Sequence, residues 1–172
     1  MRLLAIIALA GAASVTTLLS DANDVSGRLD LRSAKAVTAS DTLSMEITAW
    51  GTWSSKALRA NSKNRFTILY DVNNDRVADF TGRLVYGGGK LTLRLSGRGN
   101  SYEALPTRRP TPQSVSFVHP VDIMLPKPTQ RRMQIAVVTK FVAKGACKRA
   151  CRDRMPNAPQ WAVVVFPVPR QQ

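Results

Sequence analysis

The segment Ala78–Leu95, ADFTGRLVYGGGKLTLRL, decides the fold class. It contains two runs of aliphatic, aromatic and Thr residues around the three glycines 87–89, which is the pattern of a β-hairpin with a glycine turn. In the second run Leu91, Leu93 and Leu95 alternate with polar residues, so they share one face of the predicted strand. This alternation predicts a strand with one buried side.

Similar short runs recur along the chain, separated by Gly, Pro, Asn and Asp, and no long stretch has the apolar spacing of an amphipathic helix. Loops are expected at Pro106–Pro112 and Pro126–Pro128, because proline cannot donate to a sheet ladder. We therefore predict an all-β fold, an antiparallel β-sandwich of jelly-roll type, with a closed barrel as the alternative. The eight expected strands are Leu29–Val37, Leu43–Trp50, Arg65–Val72, Ala78–Tyr86, Lys90–Leu95, Ser114–Val118, Met133–Val142 and Trp161–Phe166.

The N-terminus predicts export. One basic residue, Arg2, precedes an apolar run and then small residues, as in a secretory signal peptide. We expect a signal peptide over residues 1–20, cleaved between positions 12 and 22, and we favour the later end over cleavage after Ala12. One domain, residues 21–172, follows. The mature protein is then expected to be secreted or extracellular, associated with the cell wall, and without a membrane span.

Export bears on the two cysteines. Oxidising compartments preserve disulfides, so Cys147 and Cys151 are expected to form one. Their spacing is not the Cys-x-x-Cys of redox enzymes, which favours a structural role. One His and two Cys are too few ligands for an ordinary structural zinc site.

Positive charge is concentrated in the second half of the chain. The formal net charge is +14, and residues 81–172 hold sixteen Lys and Arg against three acids. The excess includes Arg149, Arg152 and Arg154, which are expected to bind an anionic cell-wall polymer. No nucleic-acid-binding motif accompanies them, so no specific nucleic acid is expected.

One acidic loop has the spacing of a cation site. Asp71, Asn73, Asp75 and Asp79 place oxygen ligands at alternate positions, which suits a structural Ca²⁺. Arg76 stands where an EF-hand loop needs Gly, so a hairpin turn capped by its own side chains is the competing interpretation.

A second acidic group, Asp21, Asp24 and Asp30, lies at the start of the expected mature chain. These carboxylates could also supply calcium ligands if their segment folds back on the sandwich. An ordinary acidic N-terminal segment explains them equally well.

Two tryptophans suggest a stacking surface for sugars. Strand parity turns Trp50 outward together with Glu46, and Trp53 inward. An outward aromatic ring combines apolar area with few rotatable bonds, so Trp50 and Glu46 are expected ligand-binding residues. Core packing is the expected role of Trp53.

Catalytic constellations are largely missing from the sequence, although Glu46 and Glu103 could pair with aspartates as the carboxylates of an extracellular glycosidase. His119 is the single His, and no Gly-x-Ser-x-Gly elbow occurs. The two glutamates beyond the signal segment have no surroundings that suggest a raised pKa. We therefore expect a protein that is not an enzyme.

Several motifs are similar to those of a group of uncharacterised secreted bacterial β-sandwich proteins. These are D-x-x-D followed by L-D-L at residues 21–31, Asp71-Val-Asn-Asn-Asp75, and the closing C-x3-C-x-D-x2-P-N at 147–157. More distantly, the layout resembles family-nine carbohydrate-binding modules and DOMON-type sandwiches. That resemblance implies sugar binding or, in some DOMON members, haem binding, and it implies calcium ligands at Asp24, Asp30 and the 71–79 loop.

The expected function is therefore a secreted, non-catalytic binding domain for glycan or an anionic cell-envelope polymer. The alternative is a structural or protein-interaction domain of the envelope without a sugar site. The fold by itself does not choose between them.

Overall fold

Antiparallel β-structure runs through the described chain. The computed structural model describes residues 14–25, 27–39, 41–122, 124–125, 131–142 and 151–167, except for the side chains of residues 103 and 104. These residues contain a short 3-10 helix, Ser55–Leu58, and eleven strands. The strands are β1 Val15–Ser20, β2 Leu31–Thr38, β3 Thr42–Ala49, β4 Arg65–Asp71, β5 Phe80–Gly87, β6 Lys90–Gly97, β7 Asn100–Arg108, β8 Ser114–Pro120, β9 Arg132–Phe141, β10 Cys151–Met155 and β11 Ala162–Val165.

All eleven strands belong to one sheet, in the order β1-β2-β3-β8-β7-β6-β5-β4-β9-β10, with β11 also beside β9. The sheet curls until its two ends meet at a line that we call the seam. There Thr38 Oγ1 in β2 donates to the backbone oxygen of Val165 in β11, and Thr139 Oγ1 in β9 donates to that of Leu29, both at 2.6 Å. Within the described strands no backbone ladder crosses the seam, so the sheet is nearly closed into a barrel.

The all-β antiparallel class is therefore confirmed, and each of the eight predicted runs contains a strand. The predicted number is wrong, because β1, β7 and β10 are additional strands. The continuous, nearly closed sheet is not clearly an eight-strand sandwich of jelly-roll type. It is closer to the barrel that the sequence left as the alternative.

Strand β7 corrects the loop predicted from Pro106. Pro106 is paired with Thr92 of β6, and the next residue, Thr107, is paired with Phe117 of β8. The proline thus lies where β7 leaves one neighbour for the next, a position at which a missing N–H removes little from either ladder. The segment Pro126–Pro128 lies outside the described residues.

The core is made by the inward faces that alternation predicts. Leu91, Leu93 and Leu95 of β6 are buried, and so is the inward row of β3. Large side chains such as Phe66 and Tyr70 fill the interior between opposite walls of the sheet. Each such side chain contributes about 1.5–3 kcal/mol of hydrophobic free energy when it is fully buried.

Strand β1 lies inside the segment that the sequence assigns to the signal peptide. Residues 1–13 are outside the described chain, but Val15–Ser20 pairs residue by residue with Ser33–Thr38 of β2. Leu19 packs against the core from this strand. The two ends of the expected cleavage range therefore differ structurally, because cleavage after Ala12 keeps β1 and cleavage after Ser20 removes it.

Candidate metal centre and ligand-binding residues

A group of carboxylates meets at the seam. The segment between β1 and β2 brings Asp24 and Asp30 beside Asp153, which lies in the middle of β10. One carboxylate oxygen from each residue lies within 4.8 Å of the other two. Asp30 is only 2% exposed and Asp153 is buried, whereas Asp24 reaches solvent. The group is therefore buried with one open side.

The three carboxylates differ in how well the protein satisfies them. Asp153 accepts hydrogen bonds from the backbone N–H groups of Leu31 and Arg154, both at 2.6 Å. Both oxygens of Asp30 are buried, and neither meets the geometry of a full hydrogen bond. The Val25 N–H and the Asp153 carboxyl still interact with Asp30 and lower its pKa, although burial outweighs them. Nearby, one oxygen of Asp21 is buried and unpartnered in the same way. A buried carboxylate without a donor is costly, so this site lacks positive charge.

The pKa values of these carboxyl groups are raised for the same reason, the lack of positive charge around them. Burial raises the pKa of Asp30, and the carboxylate of Asp24 raises it further. Burial also raises the pKa of Asp153, with a contribution from the charge of Asp30. The pKa of Asp21 rises to about 6, first because of burial and then because of Asp153. Either protons or a cation would relieve this mutual repulsion.

A metal ion could be held by Asp24, Asp30 and Asp153. All the side-chain ligands are oxygen atoms, the preference of hard cations such as Ca²⁺ and Mg²⁺, and no nitrogen or sulfur ligand belongs to the group. The sequence pointed to Asp24 and Asp30 but not to Asp153. A signal for Asp153 existed, because it alternates with the buried Cys151 and Met155 on the inward side of β10.

The loop that the sequence proposed for calcium uses its oxygens differently. Asp71 is fully buried, and its carboxylate accepts the backbone N–H groups of Asn74 and Arg76, both at 2.7 Å. Asp79 accepts the N–H of Val72 at 2.9 Å. Arg76 takes the left-handed conformation, φ 69°, at the position where an EF-hand needs Gly.

The remaining members of that loop bond to one another. Asn73 accepts the N–H of Asp75 at 3.0 Å and donates its amide to the Asp75 carboxylate at the same distance. Asp75 also accepts the N–H of Val77 at 2.8 Å. The arrangement is a hydrogen-bonded turn, which was the competing interpretation of Asp71, Asn73, Asp75 and Asp79.

Trp50 lies on the surface, as alternation predicts, with 37% of its area exposed, and Trp53 is buried. The guanidinium of Arg32 lies 4.9 Å from the centre of the Trp50 ring. Glu46 is exposed on β3, directly opposite Lys35 of β2. Glu46 on β3 and Trp50, which directly follows β3, are therefore both accessible from solvent.

The predicted basic cluster is only partly described. Arg149 lies outside the described residues, and Arg152 is exposed on β10. Arg154 is engaged in its own loop, because its Nη1 donates to the backbone oxygens of Pro156 and Gln160 at 2.9 and 2.6 Å. Arg154 therefore differs from the free polymer-binding side chain that the sequence suggested.

The predicted disulfide is only partly within the described chain. Cys151 is buried at the start of β10, whereas Cys147 lies outside the described residues, so their disulfide stays a prediction.

His119 is buried, with Nε2 at 3.3 Å from the Tyr70 hydroxyl and Nδ1 at 3.1 Å from the Pro120 oxygen. Burial lowers the pKa of His119. Its surroundings are those of a packed core residue.

No family model, curated protein or solved structure matches this chain. Among the described residues, no helix is long and apolar enough to cross a membrane. The site residues themselves are therefore the basis for a functional proposal.

Proposed function

We propose that the chain is an exported, non-catalytic binding domain whose seam is held by Ca²⁺ and whose surface binds glycan or an anionic cell-envelope polymer. The observation that carries the calcium proposal is the buried Asp30, which makes no hydrogen bond of full geometry and has a carboxylate oxygen within 4.8 Å of those of Asp24 and Asp153. Calcium takes roughly six to eight oxygen ligands in flexible geometry. Carboxylates, backbone carbonyls and water on the open Asp24 side can together supply that number.

The proposed ion has a structural role. Asp24 and Asp30 belong to the segment after β1, whereas Asp153 belongs to β10, the strand at the other end of the sheet. A cation shared by these residues connects the two sheet ends where no described ladder connects them. Because only the folded chain brings the three carboxylates together, binding energy at this site stabilises the folded state.

Thermal unfolding in EDTA and in added Ca²⁺ tests the proposal. At a calcium concentration of about 100 times the Kd, stabilisation is about 2.7 kcal/mol, which raises the Tm by roughly 8 °C for a chain of this size. Mg²⁺ should raise it less, because it demands a stricter octahedral geometry. A Tm that calcium leaves unchanged would contradict the cation.

Two features support polymer binding: the exposed Trp50 with Arg32 beside its ring, and the net positive charge of residues 81–172. Co-sedimentation tests this proposal by measuring how much protein is retained by purified cell wall and by a neutral insoluble polysaccharide. Each polymer is tested at low and at high salt. We expect retention by at least one polymer. Loss of neutral-polymer retention in Trp50→Ala, with an unchanged Tm, would assign stacking to Trp50.

The alternative is a structural or protein-interaction domain. It is favoured by apolar side chains that point outward, among them Val118, which is 56% exposed on β8, and Leu18, which is 72% exposed on β1. Outward apolar residues of this size suit a protein surface better than a sugar. A protein retained by neither polymer would support this alternative.

The structure also bears on the proposed export signal. We propose cleavage after Ala12, because β1 then remains to cover the edge of β2 and its Thr17 hydroxyl stays near the Val163 oxygen across the seam, at 3.4 Å. The intact mass of the exported protein distinguishes this position from Ser20–Ala22.

A further inference from the structure

Three arginines lie together on the outer face of the sheet, on the neighbouring strands β4, β5 and β6. Arg83 of β5 is directly opposite Arg94 of β6, and on its other side it is opposite Thr67 of β4. Arg65 is two residues from Thr67, so it lies on the same face and diagonal to Arg83. The register therefore places three positive side chains in one patch, which we call the arginine face.

Among the side chains that the structure describes, none neutralises the charge of Arg83. Like charges directly opposite each other in a sheet are destabilising, yet no described carboxylate pairs with Arg83. Its Nε is buried without a partner, and its Nη2 has only a 3.5 Å contact with the Ala60 oxygen. Burial lowers the pKa of Arg83, and the charges of Arg65 and Arg94 add to this effect. A local conflict of this kind is typical of a functional site.

A groove of about 500 Å³ runs along this face and has the size of a small-ligand pocket. Arg83 and Arg94 line it together with three hydroxyl side chains, Ser96, Ser101 and Tyr102. Ser96 and Ser101 are directly opposite each other on β6 and β7. Guanidinium forks match planar or tetrahedral oxyanions, and the hydroxyls are suited to further oxygen atoms.

We infer that this groove binds the acidic groups of an anionic polysaccharide, with Arg83 and Arg94 holding the anion and the serine hydroxyls contacting the sugar. The inference rests on the proposed polymer-binding function and gives it a site that lies away from Trp50. A nucleic acid fits less well, because single strands stack on free aromatic rings. The one aromatic ring that lines the groove, Tyr102, is instead packed 6.1 Å from Phe80.

The test compares two variants of the full chain with equal loss of charge. Arg83→Gln/Arg94→Gln removes the groove cations. Lys35→Gln/Arg132→Gln removes two exposed charges away from the groove. Lys35 is on β2. Arg132 is at the start of β9, whereas the residue of β9 that is paired with Arg65 is Lys140, near the other end of that strand. Binding to polygalacturonate and to polyphosphate is measured by titration calorimetry at fixed ionic strength, with a neutral glucan and a single-stranded DNA oligomer as further probes.

We expect the groove variant to lose at least about tenfold in affinity for one or both polyanions, because two charge-assisted contacts are removed. The control variant should change by about twofold or less. The preferred polyanion distinguishes carboxylate from phosphate as the bound group. Relief of repulsion should leave the Tm of the groove variant unchanged or higher, which separates lost binding from lost folding.

Equal affinities of the two variants would overturn the groove while leaving polymer binding intact. A wild-type protein that binds none of the glycan and polyphosphate probes would overturn the proposed function itself. Tighter binding of the DNA oligomer than of either polyanion, with loss in the groove variant, would overturn the ligand class.

Discussion

The 71–79 turn and the carboxylate group at the seam contain the same chemistry and use it in opposite ways. In the turn, the buried Asp71 accepts two backbone N–H groups and Asp79 accepts a third. At the seam, the equally buried Asp30 accepts no hydrogen bond of full geometry. Both regions are dense in acids, but the first is satisfied by its own backbone.

This difference shows that the spacing of acids along a chain is a weak guide to a cation site. Asx-type turns need the same alternation of Asp and Asn that calcium loops need, because both direct side-chain oxygens inward. The informative quantity is the number of donors that each buried carboxylate already has. By that measure, Asp30 is the stronger candidate for a metal ligand.

The largest expected effect comes from the turn. Asp71→Ala removes a buried carboxylate that accepts the N–H groups of Asn74 and Arg76 in part-buried hydrogen bonds, so it should lower the free energy of unfolding by about 3 kcal/mol, or the Tm by roughly 10 °C. The loss should be equal in EDTA and in calcium, as measured by urea denaturation. As a control, Asp75→Asn keeps an oxygen that can accept the Val77 N–H and loses only the exposed contact with the Asn73 amide, so it should cost less than about 1 kcal/mol. A calcium response that disappears in Asp71→Ala would move the metal site to the turn.

The next effect comes from the seam. Asp30→Asn should abolish the calcium-induced rise in Tm of roughly 8 °C, because it removes the central ligand. In EDTA the variant should be at least as stable as the wild type, since one buried charge is gone. Differential scanning calorimetry of both proteins, with and without calcium, measures the two results. If Asp30→Asn were to retain the full calcium response, the comparison between the regions would fail.

The smallest effect is the contribution of the seam to the pH dependence of stability. The folded pKa of Asp21 is about 6, against 3.8 in the unfolded chain, and burial also raises those of Asp30 and Asp153. At the seam the folded state therefore binds more protons than the unfolded chain, so in EDTA the contribution of the seam to stability should fall as pH rises from about 4 to about 6. Calcium should remove this decline, because it stabilises the charged forms. The buried His119, whose pKa is lowered, contributes with the opposite sign in both EDTA and calcium. Urea midpoints at several pH values, in EDTA and in calcium, measure this effect. The difference between the two conditions isolates the seam, because His119 contributes equally to both. A difference that stays constant from about pH 4 to about 6 would contradict the site.

Much of the fold was predictable because alternation is a local property. Leu91, Leu93 and Leu95 face the core, and Trp50 and Trp53 take opposite sides, as parity requires. Two strands, β7 and β10, were not predicted from the sequence, each for a physical reason. A proline is compatible with β7 where that strand changes partners, and β10 is too short and too polar to be recognised as a strand by its hydrophobicity.

The candidate sites were less predictable. Asp153 contributes a carboxylate to a group whose other members, Asp24 and Asp30, lie more than a hundred residues earlier in the chain. Nothing in the sequence around β10 indicates that these residues are its neighbours. Arg83 and Arg94 are separated by a hairpin, and only the register of β5 and β6 makes them directly opposite. Long-range register depends on the whole sheet, so a scan of local patterns does not find it.

By itself, the sequence determined the antiparallel β class, the inward and outward faces of most strands and the excess of positive charge, because each is set by neighbouring residues or by composition. Only the tertiary structure decided which acids meet, which arginines lie side by side and which carboxylates find donors. Closure of the sheet brings together segments that are remote along the chain, and the free energy of a buried charge depends on the groups that surround it in space.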